Sequence, residues 1–476
     1  MQSVGVKRAF LIVLAGLLAG LLAGGAVVSA APAQRPNIVF LFADDLGWGD
    51  LSCYGRRGFR TPHLDKLAAE GTLFTQFYVA GSVCSPSRTG IMTGHYPARH
   101  RVFGHFAAPA SNQKRGMPNA LDPAVTTLTD LLRAGGYRTG HFGKWHLGNT
   151  PPDDYGIDQY RTESWSNVPD RGTLDIWGAT ARPTCTAEIL DAALEFIEAD
   201  SGRPFYVNAW FADPHATLNP SPEQLERVKQ FRPKGVDFHG VEQVYYACVN
   251  EMDRQIGRFL GELDKLGLAD ETIVIFSSDN GPEDYQINNA RHSGVGSAGP
   301  FRGRKRAIYE GGIRVPFLVR WPGRVPAGKV NDQSVVAGVD FIPSLCKLAA
   351  VNTAGAKDPD GEDMSDVLLG SDRLRKRPLF WEWRYRVFGR PVDQPPRLAI
   401  RSGDWKLLMN PDRSRVELYN VPADPMELDN LAREHPDRVE KLATSVLEWN
   451  KTLPESPVEA VAGKNAYPFP QGQGGH

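Results

Sequence analysis

Asn37-Ile38-Val39-Phe40-Leu41-Phe42-Ala43-Asp44-Asp45 decides the fold class of this chain. Six apolar or aromatic residues run together after Asn37 without polar alternation. Such a run reads as a strand buried on both faces, the signature of a parallel sheet in an α/β protein. It ends in two carboxylates, and open α/β sheets place their sites beyond the C-terminal ends of their strands. Adjacent residues on an extended strand point opposite ways, so Asp44 and Asp45 reach one ion only where the chain turns. Gly47 and Gly49 are expected to supply that turn. Hard oxygen donors of this kind suit Ca²⁺ or Mg²⁺. A solvated Asp-Asp turn is the plain alternative for a lone pair.

A second acidic pair makes the metal reading stronger. Glu271 to Ser278 is β-branched and apolar, a central strand, and it ends at Asp279-Asn280-Gly281. Asp44, Asp45, Asp279 and Asn280 together offer four oxygen ligands from two adjacent strands. Further strands are expected at 73–79, 137–142, 204–211 and 317–321, with amphipathic helices at 127–134, 186–199 and 241–266. Residues 150–183 are rich in Pro, Asp, Gly and aromatics and read as a long loop, assigned to substrate selectivity.

Four other stretches carry chemistry. In Cys84-Ser85-Pro86-Ser87-Arg88, Pro86 suits a first helical turn and Ser85 is the expected N-cap. Cys84 then sits at a helix N-terminus, with Arg88 one turn on. A buried Cys before an ordinary helix is the bland reading. In Gly143-Lys144-Trp145-His146-Leu147-Gly148, Lys144 and His146 would share one face of an extended segment. A Lys and a His there can grip a dianion and move a proton. Asp213-Pro214-His215 closes the strand at 204–211, and a basic loop at 297–306 contains Arg302, Arg304, Lys305 and Arg306.

These motifs, in this order, resemble the type I sulfatases, and the likeness spans roughly residues 36–453. The pentapeptide at Cys84 is similar to the signature in which that Cys becomes Cα-formylglycine. Asp44-Asp-Leu-Gly-Trp-Gly-Asp50, Gly143–Gly148 and Asp279-Asn-Gly281 resemble the other family motifs, and the N-terminal stretch is similar to N-acetylgalactosamine-6-sulfatases and arylsulfatases. Phe142 departs from the small or aliphatic residue usual there, and only a packing adjustment is expected. The resemblance implies an alkaline-phosphatase-like α/β fold. Its central sheet is mixed and mostly parallel, with helices on both faces and a small C-terminal antiparallel sheet carrying a helix. It implies sulfate-ester hydrolysis on sulfated carbohydrates or aryl sulfates, and a formylglycine-generating maturation enzyme as partner. It assigns Asp44, Asp45, Cys84, Asp279 and Asn280 to Ca²⁺ (Mg²⁺ as the alternative) and Cys84, Arg88, Lys144, His146, His215 and Lys305 to catalysis. In that scheme Lys144 and Lys305 bind sulfate, His215 protonates the leaving oxygen and His146 deprotonates the second hydroxyl of the formylglycine hydrate. Two other readings stand beside it. One is a formylglycine-dependent phosphodiester or phosphonate monoester hydrolase. The other is a sulfated-glycan binder with an unmodified Cys84.

Composition sets outer bounds. With 476 residues, 54 Lys+Arg and 55 Asp+Glu, nothing suggests a nucleic-acid partner or a stable membrane partner. Lys7 and Arg8, an apolar run to about Val28, and Ala30 make residues 1–30 a signal peptide, preferred over an uncleaved anchor, so export to periplasm or medium is expected. The expected division is 36–375 for a catalytic domain and 376–476 for a C-terminal subdomain. Cys53, Cys185, Cys248 and Cys346 have wide spacings that leave their pairing open.

Overall fold

The computed structural model describes residues 35–163, 173–199, 202–285, 292–388 and 391–465. The expected signal peptide therefore lies outside the described residues. The main strands are β1 (Asn37–Ala43), β2 (Thr72–Tyr78), β3 (Arg138–Gly143), β4 (Gln159–Thr162), β5 (Phe205–Trp210), β6 (Thr272–Ser278), β7 (Arg314–Arg320), β8 (Lys329–Asn331) and β9 (Val336–Ala337). They form one nine-stranded sheet in the order β4-β3-β5-β1-β6-β7-β2-β8, with β9 pairing β2. β1 lies between β5 and β6 and is parallel to both. Only β7 runs against its neighbours β6 and β2. The sheet is mixed and mostly parallel.

Side chains alternate along a strand, which explains why β1 is apolar throughout. Ile38, Phe40 and Phe42 enter one buried cluster, with Ile91 and Met92 of α2 (Cys84–Thr93), Leu131 and Leu132 of α3 (Leu128–Ala134) and Leu345 of α6 (Phe341–Leu348). Val39, Leu41 and Ala43 enter another, with Leu64 and Leu67 of α1 (Pro62–Ala69), Ile189 of α4 (Cys185–Glu198) and the stripe of α5 (Val241–Lys265). That stripe, Tyr245, Val249, Met252, Ile256, Phe259 and Leu263, recurs every three or four residues and is buried. The Phe142 departure is a matter of packing, its buried ring lying 5.8 Å from that of Phe196. The expected loop at 150–183 is corrected in part. β4 pairs in parallel with β3 at the sheet edge, and its polar sequence with alternate burial hid it. Residues 164–172 of that segment lie outside the described ones.

A second sheet is antiparallel and four-stranded, in the order β10 (Leu379–Glu382), β11 (Leu398–Ser402), β12 (Trp405–Met409) and β13 (Glu417–Asn420). Helix α7 (Pro436–Lys451) packs Leu442, Val446 and Trp449 into the same apolar cluster as β11 and β12. That cluster is the one shared with Ile38 and Phe40, so the core runs on across the expected boundary near residue 375. Among the described residues no helix is long and apolar enough to cross a membrane. All five cysteines are free thiols.

The joint between the sheets is polar. Lys406 of β12 is fully buried, with Nζ 3.0 Å from Glu310 Oε1 and 2.9 Å from Glu427 Oε1. Tyr78 of β2 donates to Glu310 Oε2 at 2.5 Å, and Arg401 of β11 donates to Tyr78. Burial would raise the Glu310 carboxyl, but Lys406, Arg401 and Arg314 outweigh it and hold the group down to about 2. Burial and the nearby Glu310 push Glu427 up to about 7 against the pull of Lys406.

Two outcomes follow from this joint. Lys406→Met leaves two acidic groups buried without their ammonium, and is expected to lower unfolding free energy by about 3–5 kcal/mol, read from the denaturant midpoint. Glu427 binds its proton more tightly folded than unfolded, so its contribution is full below the unfolded value of 4.5 and is lost as pH rises through about 7. Glu427→Gln, which mimics the protonated form, should therefore make the protein more stable relative to wild type at pH 8 than at pH 5. The same difference at both pH values would refute the assignment.

Candidate active site

Parallel pairing puts the acidic residues in one place. β1 and β6 pair Ala43 with Ser278, and the ladder continues as the Asp279 N–H donates to Ala43 O at 3.1 Å. Asp44 and Asp45 therefore leave one strand where Asp279 and Asn280 leave the next. β5 ends beside them, and the Asp44 N–H donates to Asp213 O at 3.0 Å. Asp45 itself makes the turn, with φ 65 in the left-handed region, so both carboxylates face one point. The sequence points to Gly47 and Gly49 for this turn, and neither makes it. Gly47 is needed for close approach: a Cβ there would lie 2.1 Å from Ser297 O.

Cys84 is the first residue of α2, after Val83 as N-cap. The expected cap, Ser85, is inside the helix instead, and its hydroxyl accepts the Phe106 N–H at 3.0 Å. Donor atoms of Cys84, Asp44 and Asp279 lie within 4.8 Å of one another, as do those of Asp44, Asp45 and His215. Arg88, one turn along α2, is fully buried, and its guanidinium reaches Asp279 Oδ2 at 2.8 Å and Asp44 Oδ1 at 3.9 Å. The same group donates to Lys144 O at 3.2 Å and lies 4.9 Å from the Trp210 ring.

Lys144 and His146 reach the site by a route other than the extended one expected. β3 stops at Gly143, which has a φ of 100. A Cβ there would lie 2.0 Å from Trp210 O, so the position admits only glycine. His146 is left-handed at φ 53. The turn is held from below by buried Glu163, which accepts the N–H groups of Trp145 at 2.7 Å and His146 at 3.2 Å. Lys144 Nζ contacts the Asp44 carboxylate. His146 Nε2 donates to Phe106 O at 3.1 Å, which fixes the proton on Nε2 and makes Nδ1 the basic nitrogen. Burial and Lys144 pull this imidazole down to about 3.

His215 Nδ1 donates to Ala216 O at 2.5 Å, and its Nε2 lies 3.7 Å from Asp45 Oδ2. Burial, with Lys305 adding to it, lowers its pKa to about 4. Lys305 Nζ is 2.6 Å from Asp45 Oδ2 and 3.2 Å from Glu283 Oε2. Glu283 also contacts Arg306, which pairs with Asp284 at 3.2 Å. Arg302 and Arg304 serve the scaffold: Arg302 reaches Tyr419 OH and Glu427 O, and Arg304 binds the carbonyls of Glu283, Gly294 and Gly296.

The ten residues that the resemblance assigns to metal or catalysis thus lie together, and Arg302 and Arg304 of the basic loop do not join them. Sequence reasoning misses Glu163 and Glu283, which grip two of the cationic segments. Glu283 stands two residues past Gly281, where a further acidic pair, Glu283-Asp284, is the available signal.

The donor set fits a divalent cation. Asp44 Oδ1 and Asn280 Oδ1 are buried and accept no hydrogen bond, while Asn280 Nδ2 donates to Asp45 Oδ1 at 2.7 Å and so turns its own oxygen away from that carboxylate. Unsatisfied buried oxygens are costly, and hard ones beside carboxylates suit Ca²⁺ or Mg²⁺. Burial and Asp44 raise Asp279 to about 7, the cost of gathering like charges. Burial would also raise Asp44, but Lys144, His215, Arg88 and Lys305 hold it well below the usual carboxylate range. Five carboxylates (Asp44, Asp45, Asp279, Glu283, Asp284) face four cations (Arg88, Lys144, Lys305, Arg306), a balance of −1. A divalent cation would turn that formal balance to +1, which a monoanionic tetrahedral group would neutralise.

Comparison with known proteins gives the family of the chain. The sulfatase family model matches residues 36–351, and the model for the C-terminal part of N-sulphoglucosamine sulphohydrolase matches residues 299–451. The N-acetylgalactosamine-6-O-sulfatase of Bacteroides thetaiotaomicron is 30% identical over 88% of this chain and 94% of that protein. The N-acetylgalactosamine-6-sulfatase of Sus scrofa is 34% identical over 77% of this chain and 72% of that one. The crystal structure of Ps i-CgsB in complex with k-i-k-neocarrahexaose superposes with a TM-score of 0.74 at 25% identity, covering 88% of this chain and 94% of that one. With its alkaline-phosphatase-like sheet and its cation-lined acidic pocket, the chain belongs to the sulfatase family and is a sulfuric ester hydrolase.

Proposed function

We propose that this enzyme removes sulfate from sulfated carbohydrates, using a Cα-formylglycine made from Cys84 by a maturation enzyme. The observation that carries the proposal is the convergence of Cys84, four oxygen-bearing residues and the ammonium groups of Lys144 and Lys305 in one buried pocket. The sugar assignment is supported by relatives named for N-acetylgalactosamine 6-sulfate and by a related structure holding a carrageenan oligosaccharide. The N-terminal apolar segment supports export, where such polymers are met.

Asp44, Asp45, Asp279 and Asn280 would hold Ca²⁺, or Mg²⁺, whose charge draws electron density from a sulfate oxygen and acidifies a hydroxyl beside it. A hydrated formylglycine at position 84 would supply one hydroxyl for attack on sulfur, displacing the alcohol, and a second whose deprotonation would let the hydrate revert to the aldehyde as its C–O bond to sulfate breaks. The remaining work falls to ordinary side chains. Lys144 and Lys305, both almost fully buried, neutralise the sulfate oxygens where water cannot screen them. Arg88 holds Asp279 and the backbone of Lys144, which keeps position 84 and the sulfate grip in register. His215 is neutral in the free enzyme, and the negative charge of an entering sulfate ester offsets the field of Lys305 and favours its protonated form. It then gives its proton to the departing alcohol oxygen. His146 Nδ1 is the base that takes the proton of the second hydroxyl.

Mass spectrometry of the peptide containing residue 84, from protein made in its host or with a formylglycine-generating enzyme, should find it lighter than the thiol form and reactive toward a hydrazine. That protein should hydrolyse sulfated sugars in preference to an aryl phosphodiester, Cys84→Ala should not, and Lys144→Ala or Lys305→Ala should lose about 10²–10³ in kcat. An unmodified thiol in protein from the host would favour the binding reading instead. Metal is tested without turnover. At about one hundred times its dissociation constant, Ca²⁺ should stabilise the fold by about 2.7 kcal/mol, a rise of several degrees in Tm that a chelator reverses. Asn280→Ala should shrink that rise, and an undiminished rise would remove Asn280 from the ligand set.

A further inference from the structure

Trp177 is the most open tryptophan among the described residues, with 37% of its surface exposed. An open indole forgoes the burial that usually holds one in place, yet the segment around it is fastened. Asp175 Oδ1 accepts the N–H groups of Trp177 at 3.2 Å and Gly178 at 2.6 Å. Ile176 is buried, and its carbonyl accepts from Arg182 at 3.1 Å. Arg182 in turn donates to Asp213 Oδ1 at 2.8 Å and to His215 O at 2.8 Å. The indole is thus tied to the segment that carries His215.

Its ring has two neighbours in the active site. It meets the His215 imidazole edge-on, with centroids 5.4 Å apart and planes at 70°. Lys144 Nζ lies 5.3 Å from its centroid. The sulfate end of the pocket is closed by buried Lys144 and Lys305, whereas the His215 side chain is 24% exposed. His215 therefore stands on an open side of the pocket, and an alcohol oxygen that it protonates would hold the alcohol half of the substrate beside Trp177.

We infer that Trp177 is the platform for that alcohol half, stacking on the apolar C–H face of the pyranose ring that bears the sulfate. This rests on the carbohydrate reading above. An aromatic ring offers a sugar a flat, weakly polar surface at low entropic cost, and such ring contacts contribute beyond simple area burial. The contact grips the leaving group and not the sulfate, so it sets substrate preference and orients the oxygen that His215 protonates. Trp177 acts here as a specificity residue.

The test compares wild type, Trp177→Ala, Trp177→Leu and Trp177→Phe, each matured at position 84, on a panel of 6-O-sulfated N-acetylhexosamines and their oligosaccharides. Competitive inhibition by inorganic sulfate, which has no ring to stack, is read alongside. Trp177→Ala and Trp177→Leu should lower kcat/KM for the sugar sulfates by about tenfold, Trp177→Phe should recover most of it, and the sulfate inhibition constant should stay within about twofold. Unchanged kcat/KM in Trp177→Ala would overturn the inference alone, with the carbohydrate reading intact. So would a sulfate inhibition constant that moves as far as kcat/KM, which would mark Trp177 as mere support for Lys144 and His215. If wild type cleaves aryl sulfates but no sugar in the panel, the carbohydrate reading falls and this inference falls with it.

Discussion

Three aspartates packed into one water-poor pocket cannot all stay ionised unless cations stand within contact distance. That requirement organises the molecule. Asp44, Asp45 and Asp279 have no exposed surface, and the sheet register that assembles them leaves no room to spread them apart. Burying an ion costs several kcal/mol even after relaxation, and like charges add to it. The compensation comes from Arg88, Lys144 and Lys305, each on a different segment, and each nearest to a different one of the three aspartates. The same cations suit an anionic sulfate ester, so in the proposed function the electrostatic assembly of the pocket would also serve recognition of the substrate.

Its geometry is maintained against local preference. Asp45, His146 and Arg306 all occupy the left-handed region, which costs a non-glycine residue of order 1 kcal/mol or more. Each carries or adjoins a side chain that points inward: Asp45 toward Asn280 and Lys305, His146 beside Lys144, Arg306 beside Lys305. Tertiary bonds impose these conformations. Glu163 holds the backbone of His146, and the Arg306 N–H donates to Ser82 O at 2.8 Å, two residues before Cys84.

The fold and the residues that gather in the acidic pocket are legible in the sequence because both depend on short-range patterns. An apolar run ending in Asp-Asp predicts a doubly covered strand, and β1 is one; helix periodicity predicts α5 to within about a residue of its end. What the sequence does not disclose depends on partners far along the chain. Ser85 looks like a cap, but its hydroxyl is claimed by Phe106, twenty-one residues on. Gly47 looks like a turn residue, but its constraint is the Ser297 carbonyl, brought close only by folding. Strand alternation would put Lys144 and His146 on one face. The chain leaves the strand at Gly143, and Glu163 sets their relation instead. The β4 strand escapes notice because an edge strand needs little apolar sequence to pair.

The small C-terminal sheet has a part in this electrostatic design. The segment from Arg302 to Glu310 carries Lys305 near its middle and is pinned at both ends by residues of the second sheet and the loop after it. Arg302 binds Tyr419 OH and Glu427 O, its guanidinium lying 3.8 Å from the Tyr309 ring centroid. Glu310 is gripped by Lys406, and its backbone N–H donates to Glu427 at 2.7 Å. Between these anchors Lys305 extends toward Asp45 while Glu283 limits its swing. A lysine has four rotatable bonds and binds as a point charge, so its usefulness in catalysis depends on how firmly its backbone is held. The second sheet supplies that firmness from outside the pocket. Its core merges with that of the larger sheet, and its buried charges lie at the joint.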